Sequence, residues 1–295
     1  MLSPPLINLF LPIIICALLG FIFAKFKKIE IKTLADFIIY IASPALVIYS
    51  LTHENLRLVD MALMASLALL VILGSGAVVF VLAKLFKLSL PAGLYLPIMF
   101  MNSGFIGYPV SFFVFGQAGL SRAIIFDIMN AILIFTVGIY IISQRSDRWQ
   151  IFKIPFLYAV LIGFGISLVG IKIPAGIYDS LGLIGNTAIP LALFMLGYRL
   201  ASIKINSWKF SLLASGFRLG LGFAIALLLV KLLKIGGINQ QIILLSSSLP
   251  SAFTAIALAE EYEAEPELVA STIALSTLLS LITLPLLLSY LVRMP

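Results

Sequence analysis

The chain has 295 residues, 62% of them hydrophobic and 11% charged, with a formal net charge of +7 and a mean hydropathy of +1.19. Soluble globular domains carry about 25% charged residues, so this composition excludes a soluble fold and requires an integral membrane protein. The single cysteine, Cys16, excludes an intramolecular disulfide and leaves no thiolate metal site.

Crossing a hydrocarbon core of ~30 Å takes about 20 helical residues. Ten apolar runs of that order follow one another, at 6–24, 33–51, 61–83, 94–115, 123–142, 154–171, 177–197, 210–230, 242–259 and 268–292. The sequence therefore predicts an all-α polytopic membrane protein with ten transmembrane helices. No basic residue precedes the first run, and the cluster Lys25, Lys27 and Lys28 follows it, so it reads as a first span rather than a cleaved leader. The connections are short, the longest polar link being SQRSDRWQ at 143–150, and the whole chain reads as one membrane domain.

The fourth run is unusual. FMNSGFIGYPVSFFVFG, at 100–116, places Asn102, Ser103, three glycines and Pro109 inside a membrane-length segment. An unpaired backbone group in hydrocarbon costs several kcal/mol, so an interrupted span needs partners from protein or from a wet cavity. The fifth run carries Asp127 and Asn130, and the eighth carries Arg218. The ninth, LLSSSLPSAFTAIA at 244–257, again sets a polar cluster ahead of a central proline, Pro250. Polar and ionisable groups at such depth are expensive and normally face a bundle interior with partners.

Basic residues set the orientation. With the N-terminus outside, the cytoplasmic loops hold Lys25, Lys27, Lys28, Lys32, Lys84, Lys87, Arg145, Arg148, Lys153, Arg199, Lys204 and Lys209, twelve in all. Six remain outside: Arg57, Arg122, Lys172, Lys231, Lys234 and Arg293. Both termini are predicted to face outward from the cell membrane. The positive charge is then the topology-setting kind, beside membrane lipid, and calls for no nucleic acid.

At an ungapped offset of 146, Pro44 pairs with Pro190, Gly74 with Gly220 and Gly76 with Gly222. The same offset carries Asn102, Ser103 and Gly104 onto Ser248, Leu249 and Pro250. Residues 1–148 and 149–295 would each hold five spans, an odd number, so the second half inserts upside down. Inverted repeats of this kind are typical of secondary transporters, whose sites lie near the midplane where discontinuous helices meet.

NSGFIGYP in the fourth run, LPSAFTAIALAEEY in the ninth, EPELVASTIALSTLLSLITLPLL in the tenth, and LPIIICALLGFIFAKF and YIASPALVIYSL in the first two resemble the auxin efflux carrier family. The resemblance spans nearly the whole chain and is that of a prokaryotic member, related to the bile acid/sodium symporter fold. It implies two inverted five-helix repeats whose fourth and ninth helices are broken and cross beside an organic-anion site. The crossover asparagine carries over to Asn102 and the ninth-span proline to Pro250. The long cytoplasmic loop of plant members between spans five and six is missing, as is a charge at 71–81, so the plant auxin role does not carry over.

The candidate substrate-binding residues are Asn102, Ser103, Gly104, Asn130, Ser248, Pro250 and Ser251, with Arg218 offering an anion a bidentate fork. For Asn102 the competing role is an amide that glues helices together. Asp127 is the candidate carrier of a coupling proton or cation, the alternative being a buried ion pair with Arg218. His53, in HENLR, reads as a solvated loop residue, and the acidic run EEYEAEPE at 260–267 as a charged loop. No nucleophile with its base, no metal-spaced His or Cys set and no Walker-type loop occurs, so an enzyme is not expected. No cofactor is implied beyond coupling to H+ or Na+. The expected function is a secondary carrier of small organic anions such as carboxylates, working by alternating access with an elevator-like bundle of spans three to five and eight to ten. The alternative is a sodium-coupled carrier of the bile-acid-symporter type, or a membrane ligand sensor, built on the same crossing. Oligomeric state stays open, with a homodimer among the possibilities.

Overall fold

The computed structural model describes residues 4–53, 58–143, 155–201 and 208–293. Arg57, Arg145, Arg148, Lys153 and Lys204 of the topology count, and the repeat boundary at 148, lie outside the described residues. Within them the chain is helical, with a single isolated antiparallel bridge between Met101 and Ser251. In chain order the helices are α1 (Pro4–Phe26), α2 (Ile31–Phe37), α3 (Ser43–His53), α4 (Leu58–Leu85), α5 (Tyr95–Met99), α6 (Tyr108–Leu133) and α7 (Ile139–Ser143). The second half continues with α8 (Pro155–Val169), α9 (Ala175–Gly185), α10 (Ala188–Leu200), α11 (Trp208–Leu232), α12 (Gly237–Ser247), α13 (Thr254–Glu261) and α14 (Pro266–Leu291).

Among the described residues, six helical stretches are long and apolar enough to cross a membrane: Ile31–His53, Leu58–Leu85, Ser103–Ser143, Ala175–Leu200, Trp208–Leu232 and Pro266–Leu291. Leu11–Phe26 and Leu157–Val169 are shorter apolar helices. Single π-helical turns at Ile38–Ala42 and Ile134–Gly138 join α2 to α3 and α6 to α7. The stretch Ser103–Ser143 runs for 41 residues, about twice what a bilayer needs. Gly116 divides it: its φ of 65° and ψ of −158° are open to glycine and strained for other residues. Four helix ends share one stop. After α4, α8, α11 and α13 the chain turns left-handed at Lys87, Gly170, Lys234 and Glu263, and the next N–H reaches back five residues to close a Schellman turn.

The described chain packs as two compact units, each drawing on both halves of the sequence. The first takes in the described residues up to 61, 104–124 and 155–201. Within it α1 packs along α10, and α3 lies against α8 and α9. The α1–α10 approach is close enough that a Cβ at Gly20 would strike the Phe194 carbonyl, and one at Gly197 the Ala17 carbonyl. Small residues play this role in membranes because lipid provides no hydrophobic drive and helices must instead gain from close backbone packing. Leu11, Ile14, Ile15, Leu18, Leu19 and Ile22 of α1 stay exposed, as suits a helix that meets lipid tails. His53 differs from its expected place in a loop. It is the last residue of α3, and its Nδ1 lies 2.6 Å from the Tyr178 hydroxyl, with its ring stacked on Tyr49.

The second unit takes in 62–103, 125–143 and 208–293 of the described chain. Its α11 packs against α14, α12 and α5. A row of small polar residues on α14, Ser271, Thr272, Ser276, Thr277 and Ser280, is buried in this unit. The acidic run is more than a charged loop. Glu265, at φ 46°, stands at the N-cap position of α14, and its carboxylate accepts the Gly93 N–H at 3.0 Å.

Candidate functional site: a crossing of two broken helices

Every buried backbone N–H and C=O needs a partner, and two interrupted helices must find theirs outside the helical ladder. Helix α5 stops at Met99, where Phe100 turns extended (φ −102°, ψ 134°). Helix α12 stops at Ser247, shortly before Pro250, which has no N–H to continue it. The two extended segments pair with each other. Asn102 N donates to the Pro250 carbonyl at 2.8 Å, and Ala252 N donates to the Phe100 carbonyl at 3.0 Å. Beyond the pairing, helix resumes as a π-turn at Ser103–Gly107 leading into α6, and as α13. Both interruptions fall in the polar segments of the fourth and ninth apolar runs.

Breaking two helices frees carbonyls, and side chains take them up. The Pro97 carbonyl accepts from Ser251 Oγ at 2.7 Å. Those of Ile98 and Met99 each accept from Arg218 Nη1 at 3.0 Å, and the Ser247 carbonyl accepts from Arg218 Nη2. Arg218 is fully buried, and its guanidinium thus caps the C-terminal ends of both half-helices. Ser251 N donates to Ser276 Oγ at 3.1 Å, which fastens the other strand of the pair to α14.

Asn130 performs the matching task on the first strand. Its Oδ1 accepts from Met101 N at 3.3 Å, and its Nδ2 donates to the Met101 carbonyl at 2.9 Å and to Ser103 Oγ at 3.1 Å. Ser103 in turn donates to the Asp127 carboxylate. Asp127 and Asn130 stand one helical turn apart on the same face. Asp127 is partly exposed, whereas Asn102, Ser103, Asn130, Ser248 and Ser251 are buried. The structure thus brings Asn102, Ser103, Asn130, Asp127, Pro250, Ser251 and Arg218 to one crossing, with Gly104 in the π-turn that follows. Ser248, which the 146-residue offset pairs with Asn102, donates back to the Leu244 carbonyl at 2.7 Å, while the main-chain partner of Asn102 is Pro250. Among the described residues no group of three His, Cys, Asp or Glu is placed to hold a metal ion.

Two participants lie outside the candidate site residues named from the sequence. Ser276 anchors the ninth-run strand, and Gly222 makes room for the arginine: a Cβ there would meet both the Ser247 carbonyl and Arg218 Nη2. A signal for each is nonetheless present. The 146-residue offset carries Asn130 onto Ser276 and Gly76 onto Gly222, and a Cβ at Gly76 would meet Met99 Sδ at 2.7 Å, at the end of α5.

An all-helical, multi-pass chain with two broken helices paired through buried polar groups is the architecture of a membrane transporter. The chain belongs to the membrane transport protein family, the auxin efflux carrier family; its model matches twice, over residues 5–153 and 144–288. An uncharacterized transporter of Methanocaldococcus jannaschii, MJ1031, is 30% identical over 292 residues, covering 93% of this chain and 95% of its own. An uncharacterized transporter of Methanothermobacter thermautotrophicus is 31% identical over 290 residues, covering 94% and 95%. The uncharacterized transporter YfdV of Escherichia coli is 26% identical over 299 residues, covering 94% of each chain. The family and these relatives are transporters rather than enzymes.

Proposed function

We propose that this transporter is a secondary carrier of small organic anions, carboxylates in particular, across the cell membrane. The observation that carries the reading is the paired crossing of residues 100–102 with 250–252, held by Asn130 and Ser276 beside the partly exposed Asp127. Broken helices that restart at a crossing direct backbone N–H groups toward it, and such N-termini favour negative charge. The substrate anion would meet Asn102, Ser103, Gly104, Asn130, Ser248, Pro250 and Ser251. Arg218 would fix the half-helices through its two Nη atoms, which serve backbone carbonyls, and offer the anion its charge and its Nε, unpartnered among the described residues.

The ten-span arrangement with outward-facing termini, as two inverted five-helix repeats (1–148 and 149–295), belongs to the same proposal. It is supported by matching devices in the two halves: α4 and α11 each end on a left-handed lysine, and Gly76 and Gly222 face the ends of α5 and α12 respectively. Transport would proceed by alternating access, with the unit that carries the crossing moving as one body in an elevator-like step. Asp127 is the proposed coupling group: neutralised by a proton, it would cross without dragging a bare charge through hydrocarbon. The carrier would act as a monomer or a homodimer.

The test is uptake of labelled mono- and dicarboxylates into proteoliposomes, run with and without a pH or sodium gradient. Saturable uptake of at least one carboxylate, competed by its unlabelled form, is expected. Failure of every carboxylate, with uptake of organic cations or neutral solutes instead, would overturn the substrate class.

A further inference from the structure

In carriers with discontinuous helices, unwound carbonyls and half-helix C-terminal ends are the groups that coordinate a driving Na+. Here the carbonyls of Ile98 and Met99 from one half-helix and of Ser247 from the other all accept from a single guanidinium. We infer that Arg218 is a tethered cation: it occupies the carbonyl ends of α5 and α12 in place of a dissociable metal ion, and so makes the crossing independent of sodium.

Three features support the assignment. Arginine stays protonated in proteins, so the positive charge at this place is permanent. It is also fully buried, a position tolerable only where the charge is matched, and the matching groups here are the three carbonyls. Gly222 keeps the space, since any side chain there would strike both the Ser247 carbonyl and the Arg218 fork. The same turn of α12 offers a smaller cation further oxygens: the hydroxyls of Ser246 and Ser247 are buried and have no hydrogen-bond partner among the described residues. Truncating the arginine would therefore leave a cluster of carbonyl and hydroxyl oxygens suited to an alkali ion. With the guanidinium in place, like charge repels a second cation.

The consequence for coupling, that any driving ion acts at Asp127 and not behind the half-helices, rests on the carrier reading. The tethered cation itself does not, so its test reads stability and needs no substrate. Melting temperatures of the purified full chain would be measured in NaCl, KCl and choline chloride at equal ionic strength. The wild type is expected to melt alike in all three. Arg218→Ala is expected to melt lower by roughly 5 to 15 °C and to regain part of the loss in NaCl or with millimolar ethylguanidinium. Where that variant is not isolated, Arg218→Lys decides: its ammonium fills the place with fewer bonds, giving a lower melting temperature that does not respond to sodium. Sodium stabilisation of the wild type or of Arg218→Lys would overturn the inference. So would an Arg218→Ala protein as stable as the wild type, or one that no cation rescues.

Discussion

At the scale of single residues, Asn130 commits both of its polar atoms to the crossing, serving the N–H and the C=O of Met101 together with the Ser103 hydroxyl. Alanine there would leave the buried Met101 N–H to find a new partner, while the Met101 carbonyl keeps the Ser103 N–H at 2.9 Å. Asn130→Ala should lower stability by about 1 to 3 kcal/mol, read by thermal unfolding; an unchanged melting temperature would show that the clamp holds nothing. Asn102 poses the opposite case. Its bond to Pro250 uses the main-chain N–H, which alanine keeps. Asn102→Ala should therefore stay folded while carboxylate binding by calorimetry weakens, and unchanged affinity would assign the amide to packing. The polar atoms of the crossing are legible in the sequence because asparagine, serine and proline inside an apolar run violate its pattern. Their partners are not: Arg218 reaches carbonyls at 98, 99 and 247, and no local spacing encodes bonds across 120 and 29 residues.

At the scale of elements, two of the three glycines of α11 have opposite surroundings. A Cβ at Gly220 would meet nothing within 4 Å, while Gly222 faces the end of α12. Gly222→Ala is overpacking at the crossing and should cost about 1 to 3 kcal/mol. Gly220→Ala should be neutral or slightly stabilising, because alanine is the better helix former. Equal melting temperatures for the two variants would contradict the packing described for this unit. The sequence offset of 146 already pairs both positions with glycines 74 and 76, so the helix framework is readable as a repeat of small residues. Less readable is the interruption at Asn186–Thr187 between α9 and α10, which falls inside the single apolar run predicted for 177–197. The close approach of neighbours accompanies it there: Gly185 lies against Leu46.

At the scale of the whole molecule, the basic-residue bias of twelve to six predicts that both termini lie outside. In a Cys16→Ser background, cysteines introduced beside Arg148 and Arg293 should label from opposite faces of the membrane. Labelling of both from one face would end the inverted five-plus-five arrangement. The central claim is that the crossing is a transport site with Asp127 as its coupling group, bonded to Ser103 beside the paired strands. The most direct test is Asp127→Asn in proteoliposomes, with carboxylate exchange and pH-driven accumulation measured on the same vesicles. Asparagine mimics the protonated carboxyl, so exchange should persist and lose its pH dependence, while accumulation against the gradient disappears. A stable Asp127→Asn carrier that still accumulates substrate on a pH gradient would contradict the account.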